Sequence, residues 1–107
     1  METLKPHIEI DREKLETFCR RWKITELALF GSVLRDDFRP DSDVDVLVTF
    51  APDADVSLWD VLDAEEELKQ MLGRDVDLVL RTTVERSRNY IRRRNILSSA
   101  RPFYVAR

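Results

Sequence analysis

The sequence predicts an α/β (α+β) protein in which a small mixed β-sheet has helices packed on one side. Three runs of alternating apolar residues are typical of strands, at residues 24–30, 43–50 and 76–80. Segments with helical spacing precede, separate and follow these runs. The expected order of elements is therefore α-β-α-β-α-β-α.

The first two long helices have clear start signals. Asp11 is expected to cap a helix that runs to about Trp22, and Ser57 a second helix that runs to about Leu72 and stops at Gly73. One face of the first helix carries Leu15, Phe18, Cys19 and Trp22. The expected inner side of the second carries Leu58, Val61, Leu62, Glu65, Leu68 and Leu72. Trp22 and Trp59 are interpreted as core residues.

The other elements are shorter. The first strand is followed by the start of a short helix at residues 32–36 and by a polar loop that contains Pro40. Thr83 is expected to cap a last helix that runs to about Asn95. The chain then ends in an extended segment around Phe103 and Tyr104.

Length and composition bound the class of protein. We expect 107 residues to form one domain, residues 1–107, and 43% hydrophobic with 36% charged residues is typical of a globular chain. The apolar stretches are far shorter than the ~20 residues that cross a bilayer, and no apolar signal region is seen, so we expect no membrane association and a cytoplasmic location. Cys19 and His7 are interpreted as structural or incidental, because one Cys and one His make neither a disulfide nor a zinc site.

Charge is distributed unevenly along the chain. Residues 1–80 contain ten Lys or Arg and twenty Asp or Glu, whereas residues 81–107 contain eight Arg and a single acid, Glu85. A basic tail indicates an anionic partner, such as a protein surface, RNA or nucleotide phosphates. The alternative is a solvated helix that balances the acidic body of the same molecule.

A Gly-Ser pair followed by an Asp-x-Asp pair carries the strongest functional signal. Gly31 and Ser32 follow the first strand, and Asp43 and Asp45 begin the second. Because side chains alternate along a strand, both carboxylates point to one face while Val44 points into the core. Two adjacent carboxylates repel each other unless a cation lies between them, and Mg²⁺ prefers such oxygen ligands together with substrate phosphates. The pattern indicates chemistry on a nucleoside triphosphate.

A third acid supports this interpretation. Asp77 lies inside the apolar run of the third strand, and two-metal phosphoryl chemistry commonly needs one more carboxylate. Asp75 shares its face and is the competing candidate, but it lies at the strand entrance and is expected to be solvated.

The residues around the Gly-Ser pair are open to structural and to phosphate-binding interpretations, which coincide for Gly31 because the turn also lets phosphate approach. Gly31 allows a tight turn, and Ser32 either caps the short helix or binds phosphate with its hydroxyl. Arg35 either pairs with a nearby acid, Asp37 or Asp41, or fixes the loop and meets phosphate or a partner. Ser42 is expected to orient the loop. The run Arg92-Arg93-Arg94 cannot share one helix face and is a weak signal.

These residues resemble the signature of the minimal nucleotidyltransferases of the polymerase-beta superfamily. The match comprises Gly31, Ser32, Asp43, Asp45 and Asp77, with Arg35 and Ser42 also in place, and extends from about residue 27 to residue 80. The resemblance implies a polymerase-beta-like nucleotidyltransferase fold. It also implies that the three Asp are catalytic metal ligands and that Gly31, Ser32, Arg35 and Ser42 form the nucleotide-binding loop.

The same resemblance implies a reaction and a partner. The expected activity is transfer of AMP from ATP to a hydroxyl, with two Mg²⁺ ions held by the Asp residues. Members of this group are often antitoxins of type VII toxin–antitoxin pairs, which adenylylate a tyrosine of a HEPN-type ribonuclease toxin. The alternatives are an antitoxin that acts by complex formation only, and a transferase for a small molecule or an RNA end. No residue reads as a base-specific contact, so we expect no direct nucleic-acid binding.

Overall fold

A computed structural model describes residues 2–4, 8–31 and 43–106. Its main sheet has four strands: β3 (Ile24–Phe30), β4 (Val44–Phe50), β5 (Val76–Leu80) and β6 (Arg101–Val105). Their spatial order is β5-β4-β3-β6. The sheet is mixed, because β3 pairs antiparallel with both β4 and β6, whereas β4 and β5 are parallel. The predicted fold class is confirmed.

A short hairpin precedes this sheet and was not expected. Strands β1 (Glu2–Leu4) and β2 (Ile8–Ile10) pair antiparallel as a separate two-stranded sheet. Three-residue strands give too short an alternation to be recognised in a sequence. Ile10 ends the hairpin inside the main core.

Helices α1 (Arg12–Arg21) and α2 (Leu58–Leu72) begin where the sequence predicts. The Asp11 carboxylate accepts hydrogen bonds from two backbone amides of α1. Ser57 and Asp60 form a capping box at the start of α2, and Gly73 ends that helix in the left-handed conformation. Helix α2 provides the long crossover that two parallel neighbours, β4 and β5, require.

The last helical region differs from the prediction of one helix capped by Thr83. It contains two helices, α3 (Arg81–Glu85) and α4 (Tyr90–Ser99). The break is stabilised locally: Asn89 caps α4 by accepting a hydrogen bond from the Arg92 amide at 3.1 Å, and the Ser87 hydroxyl accepts one from the Asn89 amide at 3.2 Å. The extended end around Tyr104 is confirmed as strand β6.

Helices cover both faces of the sheet, which corrects the expectation of one covered side. Helices α1 and α2 pack on the face that carries Leu27, Leu29, Val46 and Val48. The opposite face carries a smaller cluster to which α3 and α4 contribute; its buried members are Ala28, Phe30, Leu47, Val84 and Ile96. The unbroken run Val46-Leu47-Val48 is the signal for a strand buried on both faces.

The two tryptophans have different environments. Trp22 packs against the main core, and its indole N–H donates to Glu67 at 2.9 Å. Trp59 is 74% exposed, so its assignment to the core is wrong. The inner face of α2 is formed by Val61, Ala64 and Leu68, and a period of 3.6 residues places Trp59 on the opposite side of the helix. Leu58 and Leu62 are also exposed, contrary to expectation.

Cys19 is a core residue, as predicted. Its side chain is fully buried, and burial raises the pKa of its thiol to about 12. The thiol therefore stays neutral at physiological pH. No helix in the described ranges combines the length and the apolar character that crossing a membrane requires.

Candidate active site

The centre of the candidate site is a pair of carboxylates on neighbouring strands. Asp45 of β4 is in register with Asp77 of β5 on one side and with Phe30 of β3 on the other. Asp43 lies two residues before Asp45, just ahead of β4, and is exposed. The alternation predicted from the sequence is present, because Val44 and Val46 are fully buried in the main core. The acids thus lie on the sheet face that α3 and α4 partly cover.

The neighbouring acids affect the electrostatics of Asp45. Burial raises the pKa of its carboxyl above the ordinary 3.8, and repulsion from Asp77 and then from Asp43 raises it further. Arg92 of α4 acts in the opposite direction and lowers it. The three carboxylates therefore create a region of negative potential. Among the groups that shift the pKa of Asp45, Arg92 is the one with the opposite charge.

Gly31 lies against Asp45 at the end of β3. Its φ is +77°, in the left-handed region that favours glycine. A Cβ at this position would collide with the Asp45 carboxylate, reaching Oδ2 first and lying 3.3 Å from Cγ. The absence of a side chain at residue 31 therefore leaves room for the Asp45 carboxylate.

The donor set fits a hard divalent cation. Asp43, Asp45 and Asp77 supply only carboxylate oxygens, which are the ligands that Mg²⁺ prefers. Among the residues the structure describes, no three Asp, Glu, His or Cys side chains are placed together so that they could hold a metal ion. Mutual repulsion keeps ionised carboxylates apart, and a cation would reverse that force.

Asp75 is set apart from this group. It pairs with Lys69 at 3.6 Å, and its side chain is 72% exposed. Glu66 and, to a smaller extent, Asp75 raise the pKa of Lys69, which lies on the same surface. Asp75 is therefore solvated, as expected, and Asp77 is the acid that faces Asp45.

Three of the predicted nucleotide-binding residues, Ser32, Arg35 and Ser42, lie outside the described residues, as does the short helix expected at residues 32–36. Of the four predicted nucleotide-binding residues, the structure describes only Gly31.

Sequence reasoning missed the position of Arg92. Arg92 lies one helical turn before Ile96, which is buried against the sheet, so the two share a face of α4. The spacing of four residues between Arg92 and Ile96 is the sequence signal that could have distinguished Arg92 from Arg93 and Arg94. Arg93 donates to the carbonyls of Ser87 and Glu85, and the side chains of Arg92 and Arg94 are both exposed.

The comparisons agree with this fold. A family model described as a nucleotidyltransferase domain matches residues 11–102. The chain therefore belongs to the nucleotidyltransferase domain family and is an enzyme of that class.

Similar proteins place it in the minimal group of that family. A protein of Methanocaldococcus jannaschii, provisionally named a protein adenylyltransferase, is 32% identical over 78% of this chain and 84% of its own length. The protein adenylyltransferase MntA of Thermococcus cleftensis is 38% identical over 61% of this chain and 64% of its own.

Solved structures show the same architecture. A structure provisionally identified as a minimal nucleotidyltransferase superposes with a TM-score of 0.65 at 32% identity, covering 86% of this chain and 88% of that one. A chain of a toxin–antitoxin crystal structure with AMP-PNP has a TM-score of 0.66 at 21% identity, covering 92% and 76% of the two chains. At that identity the second likeness concerns the fold alone.

Proposed function

We propose that this enzyme transfers AMP from ATP to a hydroxyl group of a partner protein. The observation that carries the proposal is the juxtaposition of Asp45 and Asp77 in register on adjacent strands, with Gly31 leaving room beside them. Depletion of Asp from strands makes two such residues on one sheet face costly without a ligand.

Each residue has a proposed role. Asp43, Asp45 and Asp77 would hold two Mg²⁺ ions, which when bound neutralise the triphosphate and lower the pKa of the acceptor hydroxyl. The Gly31 backbone, the Ser32 hydroxyl and the residues that follow, with Arg35 and Ser42, would bind the phosphates. Helices α3 and α4 cover the neighbouring part of the sheet face.

The reaction balances as a single displacement at phosphorus. The acceptor oxygen loses its proton and forms a bond to the α-phosphorus of ATP, while the bond from that phosphorus to the α,β-bridging oxygen breaks. AMP is thus attached to the acceptor and pyrophosphate leaves. Alignment and charge neutralisation supply most of the acceleration in reactions of this kind.

The acceptor that we propose is a tyrosine of a HEPN-type ribonuclease toxin, which would make this enzyme the antitoxin of a type VII pair. Support comes from relatives that are named protein adenylyltransferases and from fold neighbours crystallised as MntA–HepT toxin–antitoxin complexes. The AMP-PNP in one of these crystals supports ATP as the nucleotide.

Co-expression with the protein encoded beside it tests the proposal. The intact mass of that partner should increase by whole AMP units with the wild-type enzyme and stay unchanged with Asp43→Asn/Asp45→Asn. Asp75→Asn is the matched control, because this exposed acid pairs with Lys69 and is not one of the proposed ligands. An unmodified partner that co-purifies with the wild type would favour neutralisation by complex formation alone.

A further inference from the structure

Helix α2 presents an apolar surface to solvent in its first turns. Leu58, Trp59 and Leu62 are between 45% and 74% exposed, and their spacing of three and four residues makes them neighbours on the helix surface. We call these three side chains, together with the exposed residues Asp55 and Asp63, the acidic patch. The surrounding segment, residues 53–67, contains no Lys or Arg and seven acids: Asp53, Asp55, Asp60, Asp63, Glu65, Glu66 and Glu67.

The start of helix α4 presents a second surface with the opposite charge. Tyr90 and Ile91 are 58% and 71% exposed, and Arg94 lies one turn further along the helix, beside both of them. We call Tyr90 and Ile91, together with the exposed residues Arg88 and Arg94, the basic patch. Residues 86–94 contain no acid and five arginines: Arg86, Arg88, Arg92, Arg93 and Arg94.

The charges of the two patches are not neutralised locally. Across the part of the chain that the structure describes, Asp55, Asp63, Arg88 and Arg94 form no ion pair. The two patches cannot meet within one molecule, because α2 and α4 pack on opposite faces of the sheet. Opposite charges on these patches can therefore pair only between molecules.

The two patches also contain most of the large hydrophobic side chains that the described surface exposes. Five of the six lie in them, and the sixth is Val105 of β6. Clustered apolar side chains with a polar rim are typical of protein–protein contact surfaces, where Trp, Tyr and Arg contribute most of the binding energy. Each patch thus has the composition of an interface, and each carries the charge that the other lacks.

We propose that two copies of this chain associate head to tail, with the acidic patch of one copy docked on the basic patch of the other. Apolar side chains then meet apolar side chains, while the flanking carboxylates meet guanidiniums. Two different surfaces make a heterologous contact, so further copies can add in the same way. Because two helix faces form less than a standard interface, we expect a dissociation constant on the order of 10–100 μM.

Sedimentation velocity of the full chain from about 1 to 300 μM tests this contact. The wild type should form dimers or larger species as its concentration rises, and added salt should weaken their association. Asp55→Arg/Asp63→Arg and Arg88→Glu/Arg94→Glu each reverse the charge of one patch, so that two patches of like charge would meet. Each variant alone should therefore associate at least about tenfold more weakly than the wild type.

An equimolar mixture of the two reversed variants tests whether the patches bind each other. In the mixture the two reversed patches are complementary, and so are the two unchanged patches, so association should be recovered. Asp63→Arg and Arg94→Glu alone repeat the test with a smaller change to the surface. Circular dichroism shows that each variant is folded.

Ile91→Ala tests the apolar part of the contact and should weaken the association of the wild type. Val105→Ala is the matched control, because it shortens an exposed apolar side chain outside both patches and should leave the association unchanged.

Four results would overturn the inference. A wild type that stays monomeric over this range shows that the patches bind a different partner or none. Unchanged association of both reversed variants places the contact elsewhere on the surface. A mixture that fails to associate shows that the two patches do not bind each other, and an equal loss in Val105→Ala shows that the effect is not specific to them.

Discussion

Asp45 faces Asp77 across the parallel pair of β4 and β5, with the two residues in direct register. The Asp45 carboxyl is partly buried, and its pKa is raised first by that burial and then by the charges of Asp77 and Asp43. A carboxylate in this position opposes folding when it is ionised. The strand pair therefore stores an unfavourable interaction that a bound cation would relieve.

Substitution of Asp45 should show how much its ionised carboxylate destabilises the folded state. Since the folded-state pKa of Asp45 lies above its unfolded value of about 3.8, its contribution to stability is present below that pH and is lost as the pH rises through the raised pKa. At pH 7 without metal, Asp45→Asn should therefore melt a few degrees above the wild type, on the order of 2–4 °C. The difference should shrink as the pH is lowered toward 4.

With magnesium and nucleotide, the wild type should melt at a higher temperature than Asp45→Asn. Millimolar Mg²⁺ with α,β-methylene-ATP should raise the melting temperature of the wild type and leave that of Asp45→Asn nearly unchanged. Calorimetric melts across pH 4–8 measure both effects. Asp75→Asn serves as control, and a lower melting temperature of Asp45→Asn at pH 7 without metal would contradict the electrostatic account.

Gly31 and Gly73 offer a matched test of the contact between Gly31 and Asp45. Both have positive φ, +77° and +66°, so an Ala at either position pays a backbone cost of about 1–2 kcal/mol. Only at Gly31 would the new Cβ collide with Asp45, since nothing lies within 4 Å of a Cβ at Gly73. Gly31→Ala should therefore lower Mg²⁺-dependent AMP transfer by about 100-fold or more, whereas Gly73→Ala should keep most of it.

Equal activity of the two variants, after correction for their folded fractions by circular dichroism, would show that the contact with Asp45 does not matter. Equal melting temperatures would show that Asp45 moves aside without cost.

The elements that the sequence predicted well are those whose signals are local. The cap at Asp11, the capping box at Ser57 and the stop at Gly73 each depend on a few neighbouring residues. The break between α3 and α4 was missed because Thr83 is also an acceptable cap. Asn89 is itself a local cap signal, since it accepts from the Arg92 amide and its own amide donates to Ser87, but the prediction of one helix starting at Thr83 passed over it.

In the candidate site too, the sequence indicated what depends on neighbouring residues and could not indicate what depends on long-range pairing. Strand alternation sufficed to put Asp43 and Asp45 on one face. The choice of Asp77 over Asp75 as the third ligand stays a prediction. Alternation could not show that Asp45 and Asp77 stand in register, because register depends on how β4 and β5 pair at a distance. The position of α4 on this face depends on the packing of Ile96 in a cluster with Leu47, which is equally nonlocal.

The two tryptophans should differ in their contribution to stability. Trp59→Ala removes a side chain that is 74% exposed, so the free energy of unfolding should change by no more than about 0.5 kcal/mol. Trp22→Ala removes packing against the core and the hydrogen bond to Glu67, so it should cost about 2 kcal/mol or more. Urea unfolding followed by circular dichroism compares them, and a large loss in Trp59→Ala would mean that this side chain is covered.

Glu65 should prove to be the residue of α2 that fixes the outer strand beside the acids. Its carboxylate accepts a hydrogen bond from the Leu78 amide at 2.9 Å, and within the described residues β5 pairs with a strand on one side only. Removing the acceptor leaves that partly buried amide unpaired, so Glu65→Ala should lower the free energy of unfolding by about 1.5–2 kcal/mol. Because Leu78 follows Asp77, the same change should also weaken Mg²⁺-dependent nucleotide binding.

Glu65→Gln keeps an oxygen acceptor and should lose less than half as much stability. Glu66→Ala is the control, because the adjacent Glu66 is exposed and its contacts, with Lys69 at 3.6 Å and with Gln70 at 3.3 Å, lie on the surface. Urea unfolding gives the stabilities, and titration with α,β-methylene-ATP and Mg²⁺ gives the binding. Should Glu65→Ala lose stability while binding the nucleotide as the wild type does, Glu65 supports the fold and β5 holds Asp77 in place without it.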